Sequence, residues 1–183
     1  MAIPTETVYG LAANALNADA VVSIFETKNR PHFDPLIVHV AGIEQVHEVA
    51  SHIPSHARTL MEALWPGPLT IVLRKHDCIP HIVTSGLDTV GVRMPNHPLA
   101  LELLRALDFP LAAPSANPFG YISPTSALHV AEQLGDRIPY ILDGGECSVG
   151  VESTIIDCSC ETPTILRLGG TSVETIEEII GPV

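Results

Sequence analysis

Short, continuous apolar runs separated by helical stretches set the fold of this chain. Leu36-Ile37-Val38-His39-Val40, Leu69 to Leu73, Val90-Gly91-Val92-Arg93-Met94 and Leu111-Ala112-Ala113 each read as a buried strand. Further strands are expected near 139–142, 152–157 and 164–168. Asn17 or Asp19 can cap a helix in which Val21, Ile24 and Phe25 share a face. Residues 43–51, 56–64, 98–107 and 173–180 suit helices. Ser123 offers an N-cap, with Pro124 in the first turn of a helix reaching Leu134. Trp65-Pro66-Gly67-Pro68 is a rigid turn. Such alternation predicts an α/β fold: one domain over residues 1–183, with a twisted, open, mixed sheet and flanking helices. Met1-Ala2-Ile3, stopped at once by Pro4, reads as a strand stub or a trimmed N-terminus.

A 183-residue chain that is 46% hydrophobic and 16% charged buries a sizeable core. Its net charge of −12 argues against a broad nucleic-acid footprint, and 4% aromatics argue against a base-stacking platform. No apolar run is long enough to span a bilayer and no signal peptide is visible, so a cytoplasmic location is expected. The four cysteines, Cys78, Cys147, Cys158 and Cys160, read as free thiols, and Cys158-Ser159-Cys160 lacks a zinc-knuckle gap. His47, His52 and His56 have no Cys or carboxylate company and read as a solvated helix face. No protein-held metal is expected.

Four polar islands interrupt the apolar elements: Thr5 to Thr7; Lys28 to Asp34; Ser115-Ala116-Asn117 running to Ser123-Pro124-Thr125; and Gly144-Gly145 through Glu152, Ser153 and Thr154, with Arg167 beyond. Loops at strand ends are where α/β folds gather ligand groups. Lys28 and Arg30 together on so acidic a chain point to an anion, although a lysine at a helix C-terminus is also favoured by the helix dipole. Arg93 on an apolar strand needs an anionic partner, from a ligand or from an internal salt bridge. Ser123 suits a cap or an anion site, His39 a satisfied core histidine or a ligand group, and Gly144-Gly145 a turn. Arg167, ahead of Gly169-Gly170, reads as a ligand contact. These residues alone point to an anion-binding α/β enzyme handling a nucleotide and a small acid.

Taken in order, Pro4-Thr5-Glu6-Thr7-Val8-Tyr9-Gly10-Leu11, Lys28-Asn29-Arg30-Pro31, Pro35-Leu36-Ile37-Val38-His39, Trp65-Pro66-Gly67-Pro68-Leu69-Thr70, Val90 to Pro95, Ala113-Pro114-Ser115-Ala116-Asn117, Gly150-Val151-Glu152-Ser153-Thr154 and Leu166-Arg167 cover nearly the whole chain. This ordered set resembles the threonylcarbamoyl-AMP synthase family of YrdC-type domains. The resemblance implies a concave cationic pocket. It also implies that L-threonine, bicarbonate or CO2, and ATP are joined into threonylcarbamoyl-AMP and pyrophosphate. That is the first step of tRNA threonylcarbamoyladenosine modification, and a separate transferase machinery would complete it.

Carried over by position, the resemblance gives threonine Thr7, His39, Arg93, the Ala113 backbone and Ser153. It gives ATP Lys28, Arg30, Asp34, Thr89, Ser115, Asn117, Ser123 and Arg167. Within that set Lys28, Arg30, Ser115 and Asn117 would be catalytic, stabilising charge on the phosphates. Mg2+ is expected to arrive on the phosphates, and no stable tRNA interface or membrane contact is expected.

The sequence departs from the family pattern at Asp34, where Asn is usual, and at Leu168, where Pro is usual. Against the family pattern, the helix and most of the first strand usual ahead of Pro4, and the linker and C-terminal domain of the long version, are not in this sequence, so a single-domain type or an excised catalytic domain is expected. The competing readings are a hydrogenase-maturation-type carbamoyltransferase module, a non-catalytic RNA-binding or translation-associated module, and an ATP-binding paralogue without synthesis.

Overall fold

The computed structural model describes residues 1–31 and 33–183; His32, inside the second polar island, lies outside the described residues. In chain order the elements are β1 (Ala2–Ile3), β2 (Gly10–Leu11), β3 (Ala13–Asn14), α1 (Ala18–Lys28), β4 (Ile37–His39), α2 (Val46–Val49), β5 (Ala50–His52), α3 (Ser55–Leu64), β6 (Leu69–Lys75), β7 (Thr89–Arg93), α4 (Pro98–Ala106), β8 (Leu111–Ala112), α5 (Ala127–Leu134), β9 (Thr154–Asp157), β10 (Thr164–Arg167) and α6 (Val173–Ile180). Among the described residues the main sheet runs β10-β9-β6-β7-β4-β8-β3, with β5 added to β6, and β1 pairs with β2 in a separate ribbon. The β4–β7 and β6–β9 pairs are parallel and the rest antiparallel, which is the expected mixed sheet.

The two faces of this sheet are chemically different. Val38, Leu69, Ile71, Leu73, Val90, Val92 and Ile156 are buried in the main core, to which α1, α3 and α6 contribute Phe25, Leu60, Met61 and Ile176. The alternate residues Ile37, His39, Thr70, Val72, Thr89, Gly91, Arg93, Ile155 and Asp157 line an open cavity on the other face. Register fixes the assignment. Val38 opposes Val92 and Ile71 opposes both Val92 and Ile156, whereas His39 opposes Arg93. A slip of one residue would exchange core and cavity.

Helix ends follow their side chains. Asn17 caps α1 by accepting from Ala20 N at 3.1 Å, and Asn29 stops the helix in the left-handed conformation at φ 52°. Ser126 caps α5 and Ser172 caps α6. Pro98 opens α4.

Several expectations are corrected. Residues 43–51 do not form one helix: a 3-10 turn at Ile43–Gln45 leads into the single turn of α2, and Ala50–His52 becomes a strand because β6 offers it an edge. Ser123 caps nothing. The Pro124 and Thr125 carbonyls accept from Tyr9 N and Cys147 N, so the helix starts only at Ala127. Near 139–142 there is a bridge from Ile141 to Ala2 and no named strand. His47, His52 and His56 lie on α2, β5 and α3, not on one helix face. The N-terminal stub is a true two-residue strand held by β2.

Candidate active site

The strand directions bring the polar islands together. Because β4 and β7 are parallel, His39 and Arg93 end side by side. The N-terminal ends of β6 and β9 reach the same edge, so Gly67 and Ser153 arrive there too. Arg167, at the end of antiparallel β10, completes the row. The cavity they enclose is about 550 Å3. Gly91 forms part of its floor; an added Cβ there would stand 3.2 Å from Thr70 Cγ2. Gly169 is required by a close approach, since a Cβ would come within 2.3 Å of the Glu152 carbonyl oxygen.

At the floor, Arg93 is 4% exposed. Its Nε donates to the Gly67 carbonyl at 3.2 Å and its Nη1 to Thr7 Oγ1 at 2.9 Å. Thr7 Oγ1, having accepted, is free to donate to Thr5 Oγ1 at 2.9 Å, and Thr5 in turn donates to the Val8 carbonyl. Nη2 lies 2.7 Å from Glu6 Oε2. That contact is ionic and poorly aligned, so Nη2 and both Glu6 oxygens lack an aligned hydrogen bond. Beside it, burial and the Arg93 charge hold the His39 pKa down at about 3, so the ring is neutral, and its Nδ1 has no hydrogen-bond partner.

At the rim, the cations are paired with carboxylates. Arg30 Nη2 meets Asp34 Oδ2 at 2.8 Å, and Arg30 also donates to the Asp34 and Pro35 carbonyls. Arg167 Nη1 meets Glu152 Oε2 at 2.6 Å, and its Nε and Nη2 grip the Ser153 carbonyl. Ser153 Oγ accepts from Arg167 at 3.1 Å and lies 2.8 Å from Thr70 Oγ1. Ser123 Oγ donates to Glu152 Oε1 at 2.9 Å. Three guanidiniums (Arg30, Arg93, Arg167) and three carboxylates (Asp34, Glu152, Asp157) therefore line the cavity.

Of the residues singled out in the sequence, Thr7, His39, Arg93, Ala113, Ser153, Arg30, Asp34, Thr89, Ser115 and Arg167 line this one cavity. Lys28 and Asn117 are buried behind its wall, and Ser123 is half-buried beside it, hydrogen-bonded to the lining residue Glu152. Lys28 is 1% exposed, and its Nζ donates to the Ser115 carbonyl at 2.5 Å and to the Asn117 carbonyl and side chain. Burial and the neighbouring Arg30 lower its pKa to about 7. Asn117 Nδ2 donates to the Pro118 and Tyr121 carbonyls. Lys28 and Asn117 thus pin the loop that presents Ser115. Gly144 and Gly145 belong to a turn tied to the Tyr9 hydroxyl, with Gly144 packed on Pro4 and His97.

Sequence reasoning assigned no role to Glu6 or Glu152. Glu6 carried no signal, since its partner is 87 positions away. Glu152 carried a weak one, because strands at 152–157 and 164–168 form a hairpin whose open end places Glu152 near Arg167. Among the described residues the cysteines are all free, and no three His, Cys, Asp or Glu side chains converge as a metal-holding group. Among these residues, too, no helix is long and apolar enough to cross a membrane.

The family model for Sua5, YciO and YrdC proteins, described as telomere recombination, matches residues 1–169. The chain belongs to the Sua5/YciO/YrdC family. It is 53% identical over 183 residues to a threonylcarbamoyl-AMP synthase of Pyrococcus abyssi, covering 100% of this chain and 54% of the relative. It is likewise 53% identical to that of Bacillus subtilis, with 100% and 53% covered. The crystal structure of P. abyssi Sua5 complexed with L-threonine superposes with a TM-score of 0.98 at 53% identity, covering 100% of this chain and 54% of that one. The chain thus spans about half the length of these family members.

Proposed function

We propose that this chain carries the catalytic domain of an L-threonylcarbamoyladenylate synthase. The observation that carries the reading is Arg93. It is a buried guanidinium facing a cavity, hydrogen-bonded to the Thr7 hydroxyl beside a neutral imidazole, with the Ser153 hydroxyl in the same lining, in a fold superposing on a relative solved with L-threonine. A guanidinium can hold a carboxylate through two parallel hydrogen bonds. In this reading Arg93, Thr7, His39, the Ala113 backbone and Ser153 hold threonine. Arg30, Asp34, Thr89, Ser115, Ser123 and Arg167 surround ATP, with Lys28 and Asn117 holding the Ser115 loop in place.

The reaction has two stages. The threonine amine and bicarbonate give a carbamate and water. A carbamate oxygen then bonds to the α-phosphorus of ATP, and the bond from that phosphorus to the bridging oxygen breaks to release pyrophosphate. This makes the enzyme a nucleotidyltransferase. Both reactants are anions, so the chief task of the protein is to position them and offset their charge. Mg2+ belongs to this scheme as part of the ATP substrate, held by its phosphates. The product then goes to a transferase machinery acting on tRNA in the cytoplasm; at net charge −12 this domain itself is not the tRNA platform.

The test is pyrophosphate release from ATP, with threonine and bicarbonate omitted in turn. Release requiring both is expected; release indifferent to threonine from folded protein overturns the reading. Arg93→Ala should lose threonine binding at least tenfold while ATP binding survives, by calorimetric titration of each.

A further inference from the structure

Glu152 holds a position that the rest of the site fits to an anion. One carboxylate oxygen takes a hydrogen bond from Ser123, on the loop ahead of α5. The other takes the guanidinium of Arg167, at the end of β10. Two elements that share no backbone pairing are bridged by one internal anion. Lys28 and Arg30 also sense the Glu152 charge. Two groups suited to binding an external anion, Ser123 and Arg167, therefore hold a carboxylate that the chain itself supplies, and Arg30 lines the same cavity. The pair is 37% and 40% exposed, so water competes for it and its hold is weak. Unlike Arg93, which is locked on three sides at the floor, Arg167 keeps its grip on the Ser153 carbonyl through Nε and Nη2 while Nη1 alone serves Glu152. Releasing Glu152 frees one arm of the guanidinium without unseating it.

We propose that Glu152 is an internal stand-in for the ligand polyphosphate, released from Ser123 and Arg167 as the phosphates enter and returned to them as pyrophosphate leaves. The inference rests on the reading of this rim as the nucleotide site. It makes Glu152 a specificity-determining residue. Its negative charge weakens binding of any polyanion and leaves an uncharged nucleoside untouched, and its return disfavours rebinding of pyrophosphate. Affinity for ATP is thereby set below what the cations alone would give, in exchange for product release.

The experiment titrates wild type, Glu152→Gln, Arg167→Ala and the double variant with MgATP, inorganic tripolyphosphate and adenosine by calorimetry. Removing the competing charge at constant shape should tighten MgATP and tripolyphosphate about three- to tenfold. Adenosine binding should stay within about twofold by the same measure. In the Arg167→Ala background the Glu152→Gln gain should largely vanish, because the two residues act as one unit. Pyrophosphate should become a stronger product inhibitor of Glu152→Gln. Weaker MgATP binding in Glu152→Gln would overturn the proposal and make the carboxylate a support for Arg167 or for the phosphate-borne Mg2+. Unchanged polyphosphate binding would overturn it as well. If wild type and all variants fail to bind MgATP while remaining folded, the nucleotide reading falls and takes the proposal with it; that outcome is distinct from a bound nucleotide indifferent to residue 152.

Discussion

Arg93–Glu6 and Arg167–Glu152 are ion pairs of almost equal length, 2.7 and 2.6 Å, whose arginines line one cavity. The side chains of the first are 5% and 5% exposed and those of the second 37% and 40%. Burial, not distance, separates their tasks. At the floor neither charge can be solvated, so each depends on the other and the pair fixes where the Arg93 fork points. At the rim water can replace either partner, so the pair exchanges. The cavity thus combines a rigid seat with a yielding edge, which suits a small substrate held in one orientation beside a larger one that must enter and leave.

The sharpest way to break this comparison is to remove the two carboxylates in turn. Glu6→Ala leaves a buried guanidinium without its counter-charge and should cost about 3–5 kcal/mol of folding stability. Glu152→Ala should cost less than about 1 kcal/mol. Urea denaturation of both variants measures the difference. Similar losses would mean that burial does not separate the pairs. Glu6→Gln, which retains a hydrogen-bonding side chain, should recover part of the loss.

The alternation of apolar runs was enough to read the α/β class and most strands, because strands at the centre of a sheet must be apolar whatever lies beyond them. It was not enough to read which face carries the site. Val38 and Ile37 look alike in the sequence, yet Val38 is core and Ile37 is cavity wall. Only register decides. The site cations were legible because arginine on an apolar strand is costly unless it is used. The partner of Arg93 was not, since Glu6 reaches it through tertiary packing alone. Lys28 shows what sequence position leaves open. Its place beside Arg30 marked it as a phosphate ligand, and α1 ends with its ammonium turned into the Ser115–Asn117 carbonyls. No local pattern announces that backbone cage.

His39 sharpens the comparison from the floor side, with a smaller effect that depends on pH. Its folded pKa is about 3, against an unfolded value of 6.5. Between those values the unfolded chain binds the proton and the folded one does not. Stability contributed by keeping His39 neutral is therefore complete above about pH 6.5 and is lost progressively as the pH falls toward 3. By pH 5 the loss should be on the order of 2 kcal/mol. Denaturation midpoints of wild type and His39→Asn between pH 7.5 and about pH 5 isolate this contribution, because every other titrating group is common to both. The wild type should lose more stability over that interval than the variant. Parallel curves would show that the floor admits a charged imidazole, and hence enough water to undo the distinction between seat and edge.

The smallest effect is expected at the second rim pair. Arg30 and Asp34 are four residues apart, with side chains 13% and 39% exposed, and the Arg30 Nε bond goes to the Asp34 backbone carbonyl, not to its side chain. Asp34→Asn therefore keeps the backbone bond and removes only a charge that water already screens. Stability should change by no more than about 0.5 kcal/mol. The charge nevertheless faces the same cavity as Arg167, so MgATP should bind about twofold tighter in the variant at low salt. At 0.5 M salt the difference should disappear, because at that ionic strength the screening length is shorter than the distance over which an exposed carboxylate acts, roughly 5 Å. A stability loss of several kcal/mol would move Arg30–Asp34 into the class of the floor pair and leave Glu152 as the one exchangeable carboxylate among those paired to cavity arginines in the described residues. A salt-insensitive gain in affinity would instead assign Asp34 a direct contact with the nucleotide.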